Sequence, residues 1–242
     1  MIRFFRTIRQ NLLAQGRITR YLSYAIGEIA LVMIGILLAL QVNTWNEARK
    51  QNIIHGTVMT RLSEEFRALE PVVAELVAFT HSSRESTALV VNTLRLEEPP
   101  ADEQTFRAAL ARANWVQNVP QIAASYQELV STGRLSDIRN VELRNALIRY
   151  GDAHERLERI YPAATSVIFT PGSNYYRAVD WNMDPKTWEG EGGIVSYDWT
   201  ALRASRAEMQ GWVAYQYDLA LYAEKELQEI RTILSLLKAQ QL

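Results

Sequence analysis

Three histidines, His55, His81 and His154, are where proton transfer or nitrogen ligation of a metal would first be sought. They are dispersed, and none belongs to an H-E-x-x-H or H-x-x-x-H pair that could hold zinc on one helix face. The chain has no cysteine, which removes thiolate nucleophiles, disulfides and cysteine metal sites. Glu64-Glu65 and Glu97-Glu98 are adjacent acids in polar surroundings, the pattern of solvated faces and not of a general acid with its base. His154-Glu155 has the look of a phospho-accepting histidine, but no ATP-binding motif accompanies it, and no P-loop, dinucleotide fingerprint or G-x-S-x-G elbow is present. Asp180, Asn182, Asp184 and Glu191 fall at positions 1, 3, 5 and 12 of a calcium loop, yet the sixth position, where a glycine makes the sharp turn, is Pro185. The sequence thus predicts a non-enzymatic protein without catalytic residue, cofactor or resident metal.

One acid stands apart. Between Tyr21 and Val42 Glu28 is the only formal charge in 22 residues. As a helix this run measures roughly 33 Å at about 1.5 Å per residue, enough to cross a hydrocarbon core of about 30 Å. Tyr21, Tyr24 and Trp45 stand at its ends, where aromatic belts form. A carboxylate inside hydrocarbon costs on the order of 2.5–3.5 kcal/mol unless it is neutralised, hydrated or paired. At 100° per residue Tyr24, Glu28, Gly35 and Ala39 share one face, and Gly35-xxx-Ala39 permits close helix contact. That face is expected to meet protein, with Glu28 as a docking residue; pairing with Arg20 or with interfacial water is the competing role.

Arg3, Arg6, Arg9, Arg17 and Arg20 precede the span with no acid among them, whereas Glu47, Arg49 and Lys50 follow it. The positive-inside rule puts the N-terminus in the cytoplasm and residues 46–242 outside. A cleaved signal peptide would share the basic start, but its apolar run would be shorter and Ala39 to Thr44 offers no A-x-A pair. Ile2, Phe5, Ile8 and Leu12 recur at near-helical spacing, so residues 1–20 read as a basic amphipathic segment on the membrane surface, through Arg3, Phe5, Arg6, Arg9, Arg17 and Arg20. A disordered basic tail is the alternative.

The net charge of −1 hides an asymmetry: five arginines in the first 20 residues leave 21 basic against 27 acidic residues beyond them. The arm suits anionic lipid, while the domain offers nucleic acid no electrostatic partner.

The span IGEIALVMIGILLALQVNTWNE (Ile26 to Glu47), the preceding FFRTIRQNLL (Phe4 to Leu13) and the later YQELVSTGRLSDIRN (Tyr126 to Asn140) resemble a family of uncharacterised bacterial single-pass membrane proteins. The resemblance is specific over about the first fifty residues and implies a membrane anchor followed by a helical domain. It brings no catalytic residue.

Beyond the span, Met59, Leu62, Phe66, Leu69, Val73 and Leu76 step by three and four, the seam of a packed helix, with a kink or restart expected at Pro71. The pattern weakens from Thr80 to Thr87, resumes at Val90 and stops at Pro99-Pro100. Asp102 or Thr105 begins a short helix through Leu110, Ile122 to Ser131 is helical with Gly133 as its stop, and Asn140 caps a helix through Leu143, Leu147, Tyr150, His154 and Leu157 that ends at Pro162. His154 lies on that apolar seam and is expected to be a hydrogen-bonded core or edge residue and not a ligand. The last helix, from Met209 through Val213, Gln216, Ala220, Ala223, Leu227, Ile230 and Leu234 to Leu237, is expected to pack antiparallel on the helix after the span, with Leu234 to Leu237 near Ile54 and Met59. Between Pro171 and Trp199, Gly, Pro, Asn and Asp alternate with aromatics. Tyr175, Tyr176, Trp181, Trp188 and Trp199 form a lid on the bundle, a partner-binding surface, or a small-molecule or glycan pocket.

The expected architecture is all-α: residues 1–20 interfacial, 21–45 transmembrane, and 46–242 an extracytoplasmic helical bundle with an irregular aromatic-rich segment. The expected function is that of an accessory subunit of a bacterial inner-membrane assembly, a respiratory or photosynthetic complex being a suitable host. Its partners are other membrane subunits and the bilayer, and no small-molecule ligand is expected. The alternative is an extracytoplasmic sensor or ligand-binding module.

Overall fold

The computed structural model describes residues 18–182, 184 and 193–239, with side chains from Leu22 onward. Among these residues the chain is predominantly helical, with seven α-helices. They are α1 (Ile18–Thr93), α2 (Glu103–Ala113), α3 (Ala124–Ser131), α4 (Val141–Ile168), α5 (Asn174–Ala178), α6 (Trp199–Ala204) and α7 (Arg206–Ala239). A 3-10 turn covers Arg134–Asp137. The all-α expectation needs one correction: β1 (Val179–Trp181) and β2 (Ile194–Tyr197) pair antiparallel, Val179 opposite Tyr197, with a bulge after Asp180. Val, Ile, Tyr and Trp at these positions suit a pleated, half-buried ribbon.

The chain falls into two compact units, residues Met1–Thr57 and Val58–Leu242. In the first, the described residues belong to α1. Its hydroxyls turn back on the helix, Thr44 Oγ1 donating to the Leu40 carbonyl at 2.9 Å and Thr57 Oγ1 to that of Ile53 at 3.1 Å.

In the second unit, Leu62, Phe66, Val73 and Leu76 are buried as the periodicity requires. Pro71 does not break the helix, because buried residues on both sides of it hold one stripe against the core and override the local cost of proline. The stripe does not lapse after Leu76. Thr80, Ser83 and Thr87 occupy it, buried, and Thr80 and Thr87 return their hydroxyls to the Leu76 and Ser83 carbonyls at 3.0 and 2.8 Å.

Capping follows the sequence. Asp102 accepts from Thr105 N at 3.1 Å and Asn140 from Leu143 N at 2.9 Å, and Gly133 takes φ 69° after α3, a conformation that costs glycine nothing. Helix α3 has no cap of its own. Glu65 of α1 supplies one, accepting from Ser125 N at 2.8 Å and from its hydroxyl at 2.7 Å, while the Tyr150 hydroxyl accepts from Ala123 N at 3.0 Å. Helix α4 runs past Pro162 to Ile168. It does not end at the proline, because Ala164 and Ile168 continue the buried stripe and Thr165 Oγ1 bonds the Tyr161 and Pro162 carbonyls.

Helix α7 packs on both α1 and α4, antiparallel to each. Arg231 reaches Glu70 and Glu224 reaches His81 on α1; Glu229 reaches Arg149 and Glu226 reaches His154 on α4. The antiparallel pairing with α1 is therefore as expected, and Met59 joins Leu234 and Leu237 in one apolar cluster. The stripe is wider than the seam read from sequence: Trp212, Leu219, Glu226 and Ile233 are buried as well, as a helix packed on two sides requires.

Gly151 permits the α3–α4 contact. A Cβ there would fall 2.7 Å from Tyr126 Cζ and closer to its hydroxyl, and the Tyr126 ring is itself fixed edge-on against Tyr150 at 5.3 Å. Gly151→Ala is therefore expected to destabilise the fold by about 1–3 kcal/mol in urea titration, and a Tyr126→Leu background to reduce that penalty.

Candidate functional site

Helix α1 places Tyr24, Glu28, Gly35 and Ala39 within an arc of roughly 60°. All four are exposed, Tyr24 at 75 %. Around them, twelve Leu, Ile, Val and Met side chains from Leu22 to Val42 are 55–74 % exposed. This is one helix long and apolar enough to cross a membrane. Arg20 lies in the helix, whereas Arg3, Phe5, Arg6, Arg9 and Arg17 lie outside the described residues.

The aromatics between 171 and 199 take a different place from that of surface anchors. Tyr175 is fully buried, its hydroxyl donating to the Leu110 carbonyl at 2.9 Å and its ring standing edge-on to Trp212 at 4.9 Å. Tyr176, Trp181 and Trp199 are half-buried against the same cluster. Trp199 Nε1 donates to the Glu97 carbonyl at 2.9 Å, and its ring packs 5.8 Å from Phe106. Arg107 ties the ribbon to α2: its guanidinium donates to Glu103 at 2.8 Å and to the Val195 carbonyl at 2.6 Å, and lies 5.6 Å from the Tyr197 ring centroid. The described aromatics thus pack into one apolar cluster of the bundle. Trp188 lies outside the described residues, as do Pro185 and Glu191 of the calcium-loop pattern. Asp184 N donates to Asn182 Oδ1 at 3.0 Å, a local turn. Among the described residues no group of three His, Asp or Glu is gathered as a metal site.

The chemically distinctive group inside the bundle is His154, which sequence spacing placed on the core seam. It is 1 % exposed, and its Nδ1 lies 2.9 Å from Oε1 of Glu226, which is fully buried. Its Nε2 lies 3.5 Å from Glu158. Burial opposes charge on the ring, but the hydrogen bond and charge of Glu226, with Glu158 behind them, outweigh it and raise the His154 pKa above 6.5. Neighbouring Tyr150 is held neutral by its own burial, its pKa raised well beyond the ordinary tyrosine range. Glu226 was not foreseen. It sits one position from the Leu227 seam, and only the second packing face of α7 buries it.

Above this pair, α4 and α7 border an open groove of about 490 Å³, lined among others by Arg149, Asp152 and Arg156 on one side and Tyr222, Lys225 and Glu229 on the other. Arg156 and Lys225 both stand over the Tyr222 ring, at 5.6 and 4.9 Å.

Comparison by sequence and by fold returns no matching family, no matching characterised protein and no matching solved structure. The chain thus carries an exposed apolar helix stretch with one acid, and a helical unit with His154 and Glu226 paired in its interior. Tyr175→Ala is expected to lower stability by about 3–5 kcal/mol, read as a fall in melting temperature. A folded variant of unchanged stability would show that Tyr175 is not part of the core.

Proposed function

We propose that the chain is a membrane-anchored, non-enzymatic accessory subunit. Residues 21–45 cross a bacterial inner membrane with the N-terminus in the cytoplasm, residues 46–242 fold on the outer side, and the face bearing Tyr24, Glu28, Gly35 and Ala39 docks on a helix of a larger membrane assembly. The observation that carries this reading is the exposure of the twelve apolar side chains from Leu22 to Val42 on the helix that also bears Glu28. Lipid can cover such a surface, but a carboxylate and a small-residue step call for a protein neighbour on their side.

A second reading, an extracytoplasmic binding module, is favoured by the α4–α7 groove, whose volume falls in the range of small-molecule sites. Native purification of the full chain from mild detergent separates the two: stoichiometric membrane subunits support the first, and a monomer carrying a metabolite supports the second.

Site-specific photo-crosslinking tests the docking face directly. A photoreactive residue at Ala39 is expected to capture protein and one at Leu37, on the opposite side of the helix, to capture lipid. Glu28→Leu is expected to reduce the Ala39 protein adduct about tenfold, the equivalent of ~1.4 kcal/mol. Lipid adducts from both positions would overturn the docking assignment.

A further inference from the structure

The buried polar pair between α4 and α7 is unlike the other contacts of that seam. Arg149–Glu229 and Arg156–Tyr222 lie at the surface and leave a charged partner in water. His154 and Glu226 do not: both are enclosed, and Glu226 Oε2 is buried without a hydrogen-bond partner. Among the described residues, the His154 ring is the cation within ion-pair distance of Glu226. The ring also has a carboxylate on each side: Glu226 is hydrogen-bonded at Nδ1, while the buried Nε2 has no hydrogen-bond partner and the exposed Glu158 carboxylate lies 3.5 Å from it. A neutral imidazole has one N–H and one lone pair, so one of its nitrogens would turn a lone pair towards a carboxylate oxygen. The doubly protonated ring removes that repulsion and gives the enclosed Glu226 its counter-charge.

We propose that His154 and Glu226 form a proton-operated clasp between α4 and α7, closed while the imidazole carries both protons and loosened when it loses one. The seam is the natural place for such a device, since the clasp is flanked on both helices by small buried residues, Ala153 beside His154 and Ala223 one turn from Glu226, which bring the two helices close. The other ionisable groups around the ring are Tyr150 and Glu158 on α4, with Tyr126 of α3 and Glu65 of α1 reaching it through Tyr150. The tyrosines stay neutral in the range concerned, and the carboxylates all favour the charged ring.

The sign follows from linkage. The pKa of His154 is raised above the ordinary 6.5, so its contribution to stability is fully present below that value and is lost as pH rises through the higher, folded value. The outer domain is thus tightened by acid and loosened by alkali in this window, opposite to a domain held by carboxylate pairs alone.

The full chain in a nanodisc, with nitrogen-labelled imidazoles, tests the clasp by NMR titration alongside hydrogen exchange. The His154 signal, one of three, is assigned by its loss in His154→Gln. Its midpoint is expected above 6.5, and amide protection across Ala153–Leu157 and Ala223–Leu227 to fall about tenfold through that midpoint, with no such step in His154→Gln. A midpoint at or below 6.5, or protection unchanged across it, would overturn the clasp. Should His154→Gln fail to fold, Glu226→Gln serves: it removes the counter-charge, so the His154 midpoint must drop, and an unmoved midpoint contradicts the proposal.

Discussion

Water does not tolerate the surface that residues 22–42 present. Twelve large apolar side chains, each more than half exposed, amount to roughly 10–20 kcal/mol of unfavourable hydration at about 1.5–3 kcal/mol per fully exposed chain. That is comparable with the whole folding stability of an ordinary domain, about 5–15 kcal/mol. Something other than water must cover this stretch of α1, and the function proposed for the chain grows from that requirement. In the proposed arrangement, the basic residues before the stretch and the mixed charges after it set which way round it is threaded.

The unit from Val58 onward solves the same problem internally. Helices α1, α4 and α7 pack on one another, and the apolar clusters that result take in nearly every seam residue of the three helices. Some polar groups drawn into that interior are answered locally: threonine hydroxyls by their own helices, the start of α3 by Glu65 and Tyr150, and Glu226 Oε1 by His154. Ser63 Oγ, Ser83 Oγ and Glu226 Oε2 are buried without a hydrogen-bond partner.

Much of this was legible in the chain. Regular three- and four-residue steps located α1, α4 and α7, and Asp102, Asn140 and Gly133 marked helix ends through capping and left-handed backbone. Prolines misled. Pro71 and Pro162 look like breaks because local propensity opposes them, but buried residues on either side outweigh that cost. Thr80, Ser83 and Thr87 looked like a gap because hydropathy counts a hydroxyl as polar even where, as at Thr80 and Thr87, its own helix accepts it. The ribbon was hidden because its strands are three and four residues long, and Tyr175 looked like a surface anchor because an aromatic amid Gly, Pro and Asn gives no periodicity. The His154–Glu226 contact pairs residues 72 apart, and no local pattern announces it.

The absence of cysteine makes the central claim open to direct measurement. Single cysteines are placed at Gln10 and at exposed Ser131, and intact spheroplasts are treated with a membrane-impermeant maleimide. A span threaded with its arginine end inward predicts labelling of the Ser131→Cys chain in intact cells, and of the Gln10→Cys chain only after permeabilisation. Labelling of Gln10→Cys in intact cells, or protection of Ser131→Cys, would contradict the membrane-anchored account.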